Sequence, residues 1–306
     1  MKHTTYAVVD IGSNSLRLMK GTKQPNGQWL FSPKELVTTQ LGKHMAETKH
    51  LDKEGICHSL QAMEVWQQQL HDVPVCAVAT SAVREAVDGQ AFLAEIRSRF
   101  GWHCRAITGT EEASFSFCGA AAKEDGCVAV LDIGGGSSEV AVGRKGNVQW
   151  SHSYPVGAVR LTKDSAWTAE AVDAVRSYCT AQWLPMKQKP DIVIGVGGTL
   201  TTLAAMEQHM AIYDPSQITG YVVHQDQLTR QIDRLLQMTP EERRHVPGLQ
   251  PKRSDIILAG LAILQSFLQQ YHIESVTMSE QDLLEGVFYK EAFQDAACTW
   301  QEYKDI

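Results

Sequence analysis

Tyr6-Ala-Val-Val-Asp-Ile-Gly-Ser-Asn-Ser15 and Val128-Ala-Val-Leu-Asp-Ile-Gly-Gly-Gly-Ser137 are two copies of one pattern. Each is an apolar run ending in Asp-Ile-Gly, followed by small residues and a second run. The second runs are Leu16-Arg-Leu-Met19 and Glu139-Val-Ala-Val142. Alternating apolar stretches broken by glycine and serine read as strand, tight turn, strand. Asp10 and Asp132 hold the same place in the two copies, about one domain length apart. A duplicated domain, each half opening on such a hairpin, is the economical reading.

The pattern continues outward from these hairpins. Val75–Ala79 reads as a buried strand, and residues 104–107 as another. Phe92, Leu93, Ile96 and Phe100 mark one helix face, and a further helix is expected from about Glu112. In the second half, Val172, Val175, Cys179 and Trp183 form a helical stripe. Residues 191–196 read as a strand that runs into Gly197-Gly198-Thr199 and a helix through Met206. Thr239-Pro240-Glu241-Glu242 is a helix start, with Thr as cap and Pro in the first turn. Residues 256–271 are apolar nearly all round, as in a buried helix. The last strand is expected at 273–278 and the last helix at 283–293. Alternating strands and helices predict an α/β protein. Its two lobes are expected at 1–122 and 123–306, with a hinge strand near 122–126 and a final helix within 281–297 packing back on the first lobe.

The chain has 306 residues, 43% hydrophobic, enough for two cores. A charged fraction of 21% is ordinary for a globular protein and argues against disorder. The net charge of -7 argues against a general nucleic-acid-binding surface. An anionic substrate would therefore need local neutralisation by loops, arginines or a cation. The cysteine count is odd and holds no C-x-x-C pair, so reduced thiols are expected. The first ten residues lack a signal-peptide core, and no apolar run approaches membrane-span length. A cytoplasmic protein that binds neither nucleic acid nor membrane is expected.

The repeated turns carry the chemistry. Gly12, Gly134, Gly135 and Gly136 are expected to supply positive φ and close backbone approach. Consecutive N–H groups in such turns form anion-binding concavities. Ser13, Asn14, Ser15, Ser137 and Ser138 add side-chain donors. Asp10 and Asp132, at strand ends, are placed to hold a divalent cation or its waters. One copy alone could be a plain hairpin turn. Two in register, with a third glycine turn through Gly197, Gly198 and Thr199, favour phosphate binding. Arg17 and Arg84 are candidate phosphate clamps, since guanidinium binds phosphate in a bidentate manner, and Arg253 is a further candidate. Each arginine taken alone is more often a solvated surface residue, and Arg84, after Ala79-Thr-Ser, is the better candidate. Glu111 and Glu112 are both candidate general bases, and both also suit a helix N-terminus.

In these segments the chain resembles the exopolyphosphatase / guanosine pentaphosphate phosphohydrolase family, within the superfamily of actin, sugar kinases and heat-shock chaperone ATPases. The resemblance spans nearly the whole chain. It rests on both Asp-Ile-Gly turns, Ala79-Thr-Ser-Ala-Val-Arg-Glu-Ala86, Thr108-Gly-Thr-Glu-Glu-Ala113 and Pro155-Val-Gly-Ala-Val-Arg-Leu161. It continues through Gly195-Val-Gly-Gly-Thr199, Pro247-Gly-Leu-Gln-Pro-Lys-Arg253 and residues 279–289. The resemblance implies a duplicated actin-like, ribonuclease H-like α/β fold with an interlobe cleft. It implies Glu112 as the general base, Asp132 and Glu139 as metal ligands, and Mg²⁺ or another divalent cation as cofactor. The implied activity is release of terminal orthophosphate from polyphosphate. Guanosine pentaphosphate hydrolysis and a non-catalytic guanosine tetraphosphate or pentaphosphate sensor are the alternatives, and a kinase of the same superfamily is the competing class. A homodimer is among the expectations. Longer members carry an added C-terminal helical domain, and this chain resembles the short members.

Overall fold

The computed structural model describes residues 5–163, 166–290, 293–294 and 297–298. The first part of the chain forms β1 (Thr5–Ile11), β2 (Ser15–Lys23), β3 (Trp29–Phe31), β4 (Glu35–Thr38), α1 (Met45–Thr48), α2 (Lys53–Leu70), β5 (Val75–Ala79), α3 (Ser81–Glu85), α4 (Gly89–Phe100) and β6 (His103–Ala106). Helix α5 (Gly109–Ala120) leads to β7 (Cys127–Ile133), β8 (Ser138–Arg144), β9 (Asn147–Tyr154), α6 (Ala158–Leu161), α7 (Ala169–Thr180), β10 (Ile192–Val196) and α8 (Gly198–Glu207). The chain continues with β11 (Val222–His224), α9 (Gln225–Leu236), α10 (Pro240–Arg243), α11 (Ile257–Gln270), β12 (Ser275–Met278) and α12 (Leu283–Lys290). A two-residue pair, β13 (Phe293–Gln294) and β14 (Ala297–Cys298), follows.

The strands form two mixed sheets, one in each lobe. The first has the order β3-β2-β1-β5-β6, with β4 also on β2; the second has β11-β12-β10-β7-β8-β9. Hairpin partners are antiparallel, while β1, β5 and β6, like β7, β10 and β12, run parallel. Matching β7 to β1, β8 to β2, β9 to β3, β10 to β5 and β12 to β6 gives one strand order twice. The repeated turn is thus part of a repeated topology, and the expected duplicated α/β fold is the one the chain adopts. The central strands β5 and β7 are buried at every residue, as strands covered by helices on both faces must be.

Element boundaries shift where caps decide them. Helix α5 starts three residues before Glu112, because Thr108 and Glu111 form a reciprocal capping box. Thr239 caps α10 in the same way with Glu242. The stripe 172–183 overruns its helix: α7 ends at Thr180, yet Trp183 remains in the core and donates to Ser266 Oγ at 2.9 Å. Helix α11 is buried from Ile257 through Leu268, as its composition requires. The last helix ends at Lys290, short of the expected 293, and β13–β14 follow it, so β12 is not the last strand; part of the 281–297 segment lies outside the described residues. No helix among the described residues is long and apolar enough to cross a membrane. Among the described residues Cys57 is exposed, and Cys76, Cys104, Cys118, Cys127 and Cys179 are buried.

Helix α12 returns from the second sheet to the first. Its Leu283, Leu284, Val287 and Phe288 share one buried cluster with Tyr6, Val8, Met19, Val78 and Phe115. It crosses α5 at contact distance because two glycines open the crossing. A Cβ on Gly286 would lie 1.9 Å from the Phe115 carbonyl oxygen, and one on Gly119 would lie 1.8 Å from that of Asp282. Gly286→Ala must push the helices apart. It is expected to cost about 1–3 kcal/mol, the usual range for overpacking. Urea unfolding reads this as a lowered midpoint at constant slope; an unchanged midpoint would contradict the tight crossing.

Candidate active site

Both repeated turns are closed the same way. Gly12 N–H donates to the Ser15 carbonyl at 3.1 Å, and Gly134 N–H to that of Ser137 at 3.0 Å. Positive φ is not the reason for these glycines: Gly12, Gly134, Gly135 and Gly136 all lie outside that region. Close approach is the reason. A Cβ on Gly136 would stand 2.5 Å from Ser81 Oγ and 2.7 Å from Ser13 Oγ, so the two loops meet across the lobes. Arg160 reinforces this meeting, donating to the Gly136 carbonyl at 2.5 Å and pairing with Glu85 at 2.6 Å. Gly197 does require positive φ, at +85°, and its missing Cβ would press on Asp132 Oδ1.

The loops line a cleft of about 420 Å³. Of the residues singled out from sequence, Asp10, Gly12, Ser13, Asn14, Ser15, Arg17, Glu112, Asp132, Gly134, Gly135, Gly136, Ser137, Gly197, Gly198, Thr199 and Arg253 line it. Four others do not. Ser138 is fully buried on β8, where its hydroxyl donates to the Val156 carbonyl at 2.6 Å. Arg84 lies behind Glu112, donating to Glu112 Oε2 at 2.9 Å and to the Ile107 carbonyl at 3.0 Å. Glu111 is occupied by the α5 cap, accepting from Thr108 N–H at 2.8 Å, and by Arg105 at 2.8 Å. Glu139 is buried beside Asp132, its register partner across β7 and β8.

The carboxylates here are shifted. Burial first, then the neighbouring Glu139, pushes Glu112 well above its ordinary range, with Arg84 opposing. Burial and Asp132 push Glu139 up to about 8, and burial lifts Asp132 to about 6 against the pull of Arg17. Ser153 donates to Glu139 Oε1 at 2.6 Å and Ser116 to Asp132 Oδ2 at 2.8 Å, fixing both side chains. Among the described residues no three acidic, histidine or cysteine side chains form a ready cation cage. Asp10 Oδ1 and Glu139 Oε2 are nevertheless buried oxygens without a hydrogen-bond partner among the described residues. Open oxygen donors of this kind fit Mg²⁺, which takes one or two carboxylates and completes its shell with water and substrate phosphate.

Residues 27–294 match the Ppx/GppA phosphatase family. The chain belongs to this family. It is 30% identical to Exopolyphosphatase 2 of Mycobacterium tuberculosis over 94% of this chain and 98% of that one. It is 26% identical to the guanosine-5'-triphosphate,3'-diphosphate pyrophosphatase of Photobacterium profundum, over 93% of this chain and 59% of the relative. The solved Ppx/GppA enzyme of Aquifex aeolicus superposes with a TM-score of 0.80 at 31% identity, covering 94% of this chain and 99% of that one. This Ppx/GppA phosphatase is therefore a hydrolase, similar to exopolyphosphatases.

One side of the Ppx/GppA cleft escaped the sequence reading. Lys34, Tyr213, Glu280, Asp282 and Glu285 all line it. Lys34 Nζ holds Glu285 Oε2 at 2.9 Å and Asp282 Oδ1 at 3.1 Å, and Tyr213 donates to Glu280. Residues 279–289 carry part of the family resemblance, yet within them Asp282-x-x-Glu285 reads first as a helix cap. That cap is real, since Asp282 Oδ1 accepts from Leu284 N–H and Glu285 Oε2 from Asp282 N–H. Arg253 contrasts with the paired cations: among the described residues its partner is Gln250 Oε1 at 3.3 Å, with no carboxylate.

Proposed function

We propose that this cleft releases terminal orthophosphate from inorganic polyphosphate by attack of water. The observation that carries the reading is Glu112, a buried carboxylate that lines the same cleft as both phosphate loops and is paired with Arg84. The loop N–H groups and the hydroxyls of Ser13, Ser15 and Ser137 bind the terminal phosphoryl group. Water attacks the terminal phosphorus, and Glu112 accepts its proton. The bond from that phosphorus to the bridging oxygen breaks, and the shortened chain leaves with the electron pair. Arg84 keeps Glu112 in place and favours its ionised form; Glu111 supports the helix start. Asp132 and Glu139, with Asp10, would hold a Mg²⁺ ion, and when bound it would supply positive charge to neutralise phosphate oxygens.

Guanosine pentaphosphate ends in the same phosphoanhydride and is the second reading. Arg253, beside the Gly197-Gly198-Thr199 turn and without a carboxylate partner among the described residues, favours it as a place for further phosphates. Orthophosphate release from short polyphosphate, long polyphosphate, guanosine pentaphosphate and ATP, each with Mg²⁺, tests both. Polyphosphate is expected to turn over fastest. Faster release from pentaphosphate would favour the second reading, and no release from any would overturn both.

A further inference from the structure

Arg17 lines the cleft, but its guanidinium is already engaged. Nε and Nη2 hold Asp10 Oδ2 at 2.9 and 2.7 Å, and Nη1 is ion-paired with Asp282 Oδ2. Asp282 comes from the N-terminal end of α12. Its Oδ1 accepts from Leu284 N–H at 3.0 Å and lies 3.1 Å from Lys34 Nζ. The helix cap therefore uses Oδ1 and gives no account of why Oδ2 meets Arg17.

We propose that Asp282 is an affinity-setting residue of this site. Its carboxylate stands where a substrate phosphoryl oxygen would meet Arg17, yields on binding, and retakes the guanidinium when orthophosphate leaves. The inference rests on the reading of the cleft as a phosphate site. Carboxylate and phosphoryl oxygens are interchangeable partners for a guanidinium edge. Breaking a buried ion pair is costly when it strands a charge. Here it strands none: displaced Asp282 keeps Lys34 and Leu284 N–H, and Arg17 keeps Asp10. Whatever attraction Arg17 offers an incoming anion is partly cancelled by the Asp282 contact it loses. Substrate and product are both held less tightly, and orthophosphate leaves the more readily. In the resting cleft, burial would push the Asp282 carboxyl up, but Arg17 and Lys34 outweigh it and hold it at about 2, so the competitor stays charged.

The test is calorimetric binding of inorganic orthophosphate and of tripolyphosphate to the full chain, a readout independent of turnover. Asp282→Asn keeps the Oδ1 cap and removes the charge. It should tighten orthophosphate binding about tenfold, the scale of one charge-assisted hydrogen bond. Glu285→Gln removes a neighbouring cleft charge that touches Lys34 and not Arg17, and its gain should be clearly smaller than that of Asp282→Asn. In an Arg17→Gln background the Asp282→Asn gain should vanish. Unchanged or weaker binding by Asp282→Asn, an equal gain from Glu285→Gln, or a gain that survives without Arg17 would each overturn the inference. Asp282→Ser, which also caps a helix, carries the same comparison if Asp282→Asn does not fold. Absence of binding of either anion by the unsubstituted protein would overturn the phosphate-site reading and this inference together.

Discussion

Glu112→Gln should lower kcat for polyphosphate by about a hundredfold to ten-thousandfold, the usual cost of losing a general base. Gln keeps the shape of the side chain and its contact with the Arg84 guanidinium, but it cannot accept a proton. Substrate binding should be retained or tightened, because a negative charge beside a polyanion is removed. Glu111→Gln is the internal control. Gln can still complete the α5 capping box, so the change removes only the ion pair with Arg105 and should cost about 0–1 kcal/mol of stability. The comparison is kcat and polyphosphate affinity for both variants at one pH and one Mg²⁺ concentration. If Glu111→Gln is the inactive protein, the base is the neighbour. If neither variant loses more than a few-fold, the base lies elsewhere.

Chelation of divalent cations should reduce turnover by about a thousandfold or more, the several kcal/mol a metal supplies to developing charge. The acid groups set how this depends on pH. Metal-free Glu139 binds a proton below about 8 and Asp132 below about 6, both chiefly because burial disfavours their charged forms. A cation needs them ionised, so its binding releases protons, and its affinity should rise with pH across that window, by up to about tenfold per unit for each proton released. The sign for stability is the reverse. Both carboxyls titrate higher in the folded chain than in the unfolded one, so the folded state holds more protons. Metal-free stability is then greatest below the ordinary carboxylate range and falls as pH rises toward 8. Melting in chelator from pH 5 to 8, and again with excess Mg²⁺, checks both directions. Asp132→Asn should raise the Mg²⁺ concentration needed for half-maximal rate by about tenfold or more, as loss of a metal-site partner does. Turnover undiminished in excess chelator would contradict the cation's role.

The fold was legible because its deciding feature is local and repeated. An apolar run, Asp-Ile-Gly and small residues can be recognised without knowing what packs on them, and twice over they specify a topology. Val75–Ala79 and the segment around 257–268 were legible for a similar reason: continuous burial leaves a continuous apolar run. The site was legible where residues sit in those turns, as Ser13, Asn14 and Ser137 do. It was not legible where direction decides. Glu111 and Glu112 are adjacent in sequence, and the capping box alone turns one inward to its own helix start and leaves the other facing the cleft. Arg84 and Ser138 belong to motif segments, yet one stands behind the glutamate and the other points at a backbone carbonyl. A final helix packing back on the first lobe was expected, but which of its side chains would meet Lys34 there was not, because Lys34 and the Asp282–Glu285 pair lie far apart in sequence.

The central claim is that water attacks the terminal phosphorus in this cleft. Hydrolysis of polyphosphate with Mg²⁺ in ¹⁸O-labelled water, followed by mass analysis of both products, tests it most directly. Each released orthophosphate should carry one labelled oxygen and the shortened chain none, with the rate of label entry falling in Glu112→Gln as kcat does. Label at the new chain end, or orthophosphate released without label, would contradict the account.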